Sequence, residues 1–117
     1  MRRMSQLAGW LLLTAIVVLS MVAPSWRPVT ILPHNLEHAA IFALAGFAIG
    51  LGYLSRVIQN TAALVLFAAA IELAQFYAPW RHPRLIDFLV DALAACAGIA
   101  LAVLLARLTT ARTASPR

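Results

Sequence analysis

Carboxylate, amide and imidazole side chains interrupt the apolar stretches of this sequence, and they are the residues that could do chemistry. Glu72 and Gln75 are three residues apart, and Asp87 and Asp91 are four apart. Either spacing places both side chains on one face of a helix. His38 lies in a separate apolar stretch, where it could pair with one of the carboxylates. Such groups can bind a ligand, act as general bases or relay protons.

Two arginines, Arg81 and Arg84, lie in the short segment between the two acidic pairs. A guanidinium group can hold a phosphate or a carboxylate through two hydrogen bonds. The predicted functional cluster is therefore His38, Glu72, Gln75, Arg81, Arg84, Asp87 and Asp91. Each member also has a plain structural alternative. The arginines could be interface anchors, and Asp87 could be a first-turn residue favoured by the helix dipole.

Four apolar runs would have to position these side chains. Hydrophobic residues make up 63% of the 117-residue chain, whereas a soluble domain is usually about 45–50% apolar. The runs cover about residues 7–24, 35–54, 61–77 and 85–108, and a basic tail over 109–117 should be disordered. A spanning helix needs about 20 residues and pairs its own backbone polar groups. The sequence predicts one all-α domain over residues 1–117, a polytopic four-transmembrane-helix bundle; a cleaved signal peptide is the alternative for the first run.

Arginine placement predicts the orientation of this bundle. All nine basic residues are arginines at the ends of apolar runs, so we expect no nucleic-acid partner. With a cytoplasmic N-terminus, the cytoplasmic segments hold Arg2, Arg3, Arg56, Arg107, Arg112 and Arg117. The outer segments hold only Arg27, Arg81 and Arg84. By the positive-inside rule, four spans then place both the N-terminus and the C-terminus in the cytoplasm.

The polar side chains would share one layer near the outer interface. With a helical rise of about 1.5 Å per residue, His38, Asp91 and Glu72 should lie about 5, 10 and 12 Å below that interface. Asp91 shares a helical stripe with Gly98. An acid on a small-residue face should point into the bundle, because small residues let helices approach closely. We therefore expect a bundle with one polar, externally facing end.

Small residues predict a further helix contact. Gly46 and Gly50 lie one turn apart on one face, which would let another helix, including one from a partner protein, approach closely. Cys96 is the single cysteine, so it offers neither a disulfide within the chain nor a cysteine-based metal motif. We assign no metal from the remaining spacings and expect no cofactor.

The polar spacing resembles that of the VanZ-like family of small bacterial membrane proteins. The resemblance covers about residues 34–100, through LEHAAIFALAGFAIG and ELAQFYAPWRHPRLIDFLVDALAACAG. The family pattern has a glutamate and a glutamine three apart, then an arginine, an aspartate six residues later, and an asparagine four further on in a glycine-containing helix. The residues that match it are Glu72, Gln75, Arg81 and Asp87.

Three positions depart from that pattern. Asp91 stands where asparagine is usual, Ala94 where a glycine is usual, and Phe42 where tyrosine is common, whereas Gly98 is retained. The aspartate adds a negative charge to the cluster. The resemblance implies a multi-pass protein of the bacterial plasma (inner) membrane, in a family whose namesake is linked to low-level teicoplanin resistance.

Several functions are compatible with this sequence. The one we favour is an envelope accessory protein whose outward polar pocket binds a lipid head group or another envelope ligand. The alternatives are an intramembrane enzyme acting on an envelope lipid, a proton-coupled carrier, and a purely structural partner of a membrane complex. The carrier ranks last, because the cytoplasmic halves of the spans hold no carboxylate for a proton relay. Whether any reaction is catalysed stays open.

Overall fold

Four α-helices form the structure, a computed structural model that describes residues 1–22, 31, 33–79, 82 and 84–115. The helices are α1, Arg2–Met21; α2, His34–Gly52; α3, Val57–Gln75; and α4, Leu85–Ala114. A 3-10 turn, Leu54–Arg56, joins α2 to α3. These ranges contain no strand, so the all-α prediction is confirmed.

Three of these segments are long and apolar enough to cross a membrane. They are α1, α4 and Leu54–Gln75, which adds the 3-10 turn to α3. The apolar part of α2, Leu36–Gly52, is shorter. At about 1.5 Å per residue it extends roughly 26 Å, against about 30 Å of bilayer hydrocarbon. The chain thus has the length and composition of a membrane protein.

The C-terminal boundary of the last helix differs most from the predicted spans. Disorder over 109–117 was wrong for the described part of that tail, because α4 continues through Ala114. Alanine and arginine favour helix, and no glycine or proline interrupts residues 99–115. Three hydroxyls also donate hydrogen bonds to backbone carbonyls about one turn earlier: those of Thr109, Thr110 and Thr113.

The ends of α3 also shift from the predicted span of 61–77. The helix begins at Val57, so most of the expected polar link between the second and third spans is its first turn. It ends at Gln75, where the amides of Phe76 and Tyr77 bond three residues back. Such bonds tighten a last turn, and Pro79 follows shortly. Glu72 therefore lies three residues, about 5 Å, from the end of its helix.

α2 and α4 run parallel in close contact at the centre of the bundle. Gly46 of α2 lies against the backbone of Ala95 in α4, and Gly50 lies against Ile99 and Ala102. A side chain at Gly46 would collide with the Ala95 carbonyl. The glycine face predicted for a helix partner is thus covered by α4 of the same chain. α1 packs on α2, and α3 packs on α4.

Hydrogen bonds between α1 and the end of α2 close one end of the bundle. Gln6 Nε2 donates to the Gly52 carbonyl at 2.9 Å, and Arg2 Nε donates to the same oxygen at 3.3 Å. Trp10 Nε1 donates to the Tyr53 hydroxyl at 3.0 Å. The first two bonds use the Gly52 carbonyl, one of the groups that a helix C-terminus leaves unsatisfied. We call this the basic end, after Arg2, Arg3, Arg56, Arg107 and Arg112.

Candidate functional site

The side chains predicted to do chemistry lie at the opposite end of the bundle, where α1 and α3 end and α2 and α4 begin. We call it the polar end, and it holds His38, Glu72, Gln75, Arg84, Asp87 and Asp91. Arg81, the remaining predicted member, lies outside the described residues, as do Arg27 and Arg117. The described members of the predicted cluster therefore lie at one end of the bundle, as counting residues along the helices predicted.

A histidine–aspartate contact joins α2 to α4 at the polar end. Nδ1 of His38 lies 3.5 Å from Oδ2 of Asp91, whose side chain is 1% exposed. The imidazole ring is tilted relative to the ring of Phe42, with 6.4 Å between ring centroids. Gly98 permits this closeness, because it lies against the α2 backbone at Ala43. Asp91 is thus desolvated, but it has a partner.

Glu72 and Gln75 point inward from the last turn of α3, where they are 8% and 5% exposed. The Glu72 carboxylate accepts a hydrogen bond from the backbone N–H of Arg84, and its charge faces those of Asp87 and Asp91. Within the described residues, Oε2 of Glu72 and Nε2 of Gln75 have no hydrogen-bond partner. A buried polar group left unpaired costs about 1–3 kcal/mol. These two atoms are therefore the feature of the polar end that needs an explanation.

Ser20 is a buried polar residue of the polar end that the sequence analysis did not single out. It lies in the last turn of α1, and its hydroxyl has no partner in the part of the chain described. A lone polar residue in the run IVVLSMVA was the available signal. The signal is weak, because serine in an apolar helix commonly bonds the carbonyl one turn back.

A groove of about 340 Å³ runs between α3 and α4 beside Glu72. Its lining consists of Ala69, Glu72, Leu73, Phe76, Arg84, Leu85 and Phe88, and we call it the α3–α4 groove. The Arg84 side chain is exposed, and the only ion pair among the described residues is that of His38 with Asp91. Two of the lining residues, Glu72 and Arg84, are ionisable, and the other five are apolar. This arrangement matches the two parts of an amphiphile.

Asp87 has a structural explanation of its own. It lies in the first turn of α4, and its amide bonds the carbonyl of Arg84. A carboxylate at a helix N-terminus is favoured by the helix dipole. Among the described histidine, cysteine, aspartate and glutamate side chains, no group of three is placed to hold a metal ion. The polar end therefore offers ligand contacts through Glu72 and Arg84 before any other chemistry.

Comparison with known proteins found no family model, no curated protein and no solved structure that matches this chain. The resemblance to the VanZ-like family consequently stays a prediction from the residues.

Proposed function

We propose that this protein is a VanZ-like membrane protein of the bacterial envelope that binds a lipid head group, or an envelope ligand of that kind, in the α3–α4 groove. The observation that carries the proposal is the groove lining. Glu72 is buried with an unpartnered oxygen, Arg84 holds no ion pair within the described residues, and the other lining residues are apolar. An amphiphile would satisfy the charged groups with its head and cover the apolar walls with its chains.

The cost of the unpaired atoms supports a ligand. An ionisable side chain inside a membrane helix is expensive, and such residues commonly mark a binding or transport site. Burial and the nearby carboxylates of Asp87 and Asp91 both disfavour a charge on Glu72, so this site is costly without a cationic or hydrogen-bond-donating partner. A ligand that donates hydrogen bonds here would offset that cost.

We further propose that all four helices cross the plasma membrane, with both termini in the cytoplasm and the polar end facing outward. The arginines of the basic end support this orientation through the positive-inside rule. The apolar part of α2, though short, is within the range of about 17–25 residues for spanning helices.

Cysteine labelling in a Cys96→Ser background tests this topology. Reagents that cannot cross the membrane should label Ser5→Cys and Ser55→Cys only from the cytoplasmic side, and His82→Cys only from the outside. If α2 does not cross, Ser5→Cys and Ser55→Cys will label from opposite sides, which contradicts four spans.

Filling the groove tests ligand binding without removing a polar group. Ala69 lines the α3–α4 groove, whereas its neighbour Ala70 is exposed and lies outside the lining. Native mass spectrometry of protein extracted in mild detergent should show a retained lipid for wild type and Ala70→Phe. Ala69→Phe should retain about tenfold less, equivalent to about 1.4 kcal/mol of binding free energy. No retained lipid in wild type, or equal retention in the two variants, contradicts the proposal.

The envelope role is tested in cells. Strains carrying Glu72→Ala or Asp91→Ala should differ from wild type in survival of envelope stress and of cell-wall antibiotics, at equal protein levels. Arg81→Ala should be included, because that residue belongs to the family-like pattern. Identical survival of all three variants and wild type would remove the envelope function.

A further inference from the structure

We infer that the α3–α4 groove selects a zwitterionic phospholipid with a primary ammonium in its head group, the ammonium lying at Glu72 and the phosphate at Arg84. The inference rests on the proposed function, since a groove that holds no amphiphile selects none. It adds the chemical class of the ligand and the residue that recognises each charge.

Glu72 is the carboxylate suited to the ammonium. Asp91 is already engaged by His38, and one interaction of Glu72 is used by the backbone N–H of Arg84. That leaves Oε2 of Glu72 as a buried acceptor with no donor among the described residues. The last torsion of a glutamate side chain is broad, so either oxygen can turn toward the groove. A primary ammonium supplies both a positive charge and three N–H donors.

Arg84 is the group suited to the phosphate. The residue lines the groove, is exposed, and forms no ion pair within the described ranges. Guanidinium groups bind phosphate oxygens through paired hydrogen bonds. The Arg84 backbone acts on the Glu72 carboxylate, and both residues line the same groove. Ammonium and phosphate are neighbours in an ethanolamine head group.

The charge balance favours a zwitterion over an anionic lipid. The carboxylates of Asp87 and Asp91 act on Glu72 from α4 and add negative potential beside the groove, offset in part by His38 from α2. An anionic head group that has only a phosphate could bind Arg84, but these carboxylates would repel it and it has no positive charge to offset that repulsion. A zwitterion offers one charge to each of the two lining groups.

The apolar walls and the depth fit a bilayer lipid. Leu73 and Phe76 from α3, with Leu85 and Phe88 from α4, form the wall of the groove. Glu72 lies about 5 Å from the end of α3, which in the proposed orientation would place it near the outer head groups. The head group can therefore reach Glu72 while the acyl chains stay against the apolar side chains.

Hydrogen-bond donors separate this inference from simple charge attraction. Choline has the same charges as ethanolamine, but its quaternary nitrogen has no N–H to donate. Glycerol head groups have hydroxyl donors but no positive charge. The expected order of retention is therefore ethanolamine, then choline, then glycerol, for lipids with identical acyl chains.

The test offers the full-length protein an equimolar mixture of these three lipids and measures each retained species by native mass spectrometry. Wild type should retain the ethanolamine lipid about tenfold over the choline lipid, as expected for a charge-assisted hydrogen bond. Glu72→Gln should bring that ratio close to one. The matched control Glu37→Gln, an acid of α2 outside the groove lining, should leave the ratio unchanged. Arg84→Gln should lower retention of all three lipids with little change in the ratio.

A second measurement keeps the inference testable if a variant fails to fold. Wild type alone is given ethanolamine lipids with zero, one, two or three N-methyl groups, and retention should fall with each donor removed. Equal retention across this series, or an ethanolamine preference that survives Glu72→Gln, overturns the inference while leaving a lipid site intact. Loss of all lipid binding in wild type, or retention unaffected by Ala69→Phe, instead overturns the proposed function.

Discussion

At the basic end, the Gly52 carbonyl accepts hydrogen bonds from Gln6 and Arg2, whereas at the polar end Glu72 and Gln75 each bury an atom without a partner among the described residues. Both ends hold polar groups between helices of a largely apolar chain. The first arrangement stabilises the bundle, and the second leaves the cost of desolvation uncompensated. The difference indicates that function in this chain is to be sought where polar groups are unpaired.

The contact between α2 and α4 supports both ends, so breaking it should have the largest effect. In Gly98→Leu, the new side chain would meet the α2 backbone at Ala43 and Phe47. We expect the free energy of unfolding to fall by about 3 kcal/mol, measured by thermal or denaturant unfolding in detergent. The control is Ala97→Leu, at the neighbouring exposed position. Equal stability of the two variants would contradict the close packing of α2 on α4.

Removing one hydrogen-bond donor of the basic end should destabilise the protein. Gln6→Leu deletes the 2.9 Å hydrogen bond to the Gly52 carbonyl and should lower the free energy of unfolding by about 1–2 kcal/mol. Gln59→Leu is the matched control, because Gln59 is an exposed glutamine of the same end. An exposed substitution of this kind usually changes stability by less than about 0.5 kcal/mol. Equal losses in the two variants would show that the hydrogen bond contributes nothing specific.

At the polar end, replacing a polar group should raise the free energy of unfolding instead of lowering it. Glu72→Gln keeps an oxygen for the Arg84 amide and removes a charge that faces Asp87 and Asp91. Ligand-free protein should therefore gain about 1 kcal/mol in free energy of unfolding, since removing a poorly compensated buried charge commonly stabilises. Unfolding of delipidated protein measures this, with Glu37→Gln as the control. A loss as large as that of Gln6→Leu would make Glu72 a structural residue and remove the contrast between the ends.

The helices and their shared polar end could be predicted from the sequence, because both follow from hydrophobic run lengths and helical counting. The choice of partner for each polar group could not be predicted. His38 meets Asp91, and Glu72 meets the backbone of Arg84, because α2 and α4 run parallel and α3 ends at Gln75. Helix ends and inter-helix register depend on tertiary contacts that no local pattern contains. For the same reason, the sequence could not predict that Oε2 of Glu72 lacks a partner among the described residues.

The α3–α4 groove left no signal in the sequence either. Leu73, Phe76 and Phe88 have the composition of ordinary lipid-facing positions, and only their place between two helices makes them a wall. The prediction of disorder beyond residue 108 was wrong for a different reason. Its polarity favoured disorder, but the alanines and arginines favour helix, and no glycine or proline interrupts α4 once the preceding turns are helical.

The smallest effect is expected where a hydrogen bond of the basic end faces solvent. Trp10 is 57% exposed, and its Nε1 donates to the Tyr53 hydroxyl at 3.0 Å. Water or lipid head groups can replace that bond, so Trp10→Phe should lower the free energy of unfolding by about 0.5 kcal/mol. A double-mutant cycle with Tyr53→Phe separates the bond from the packing of the indole ring. A coupling energy above about 1.5 kcal/mol would mean that the bond is desolvated. The Trp10–Tyr53 hydrogen bond would then stabilise the basic end about as much as the Gln6 hydrogen bond does.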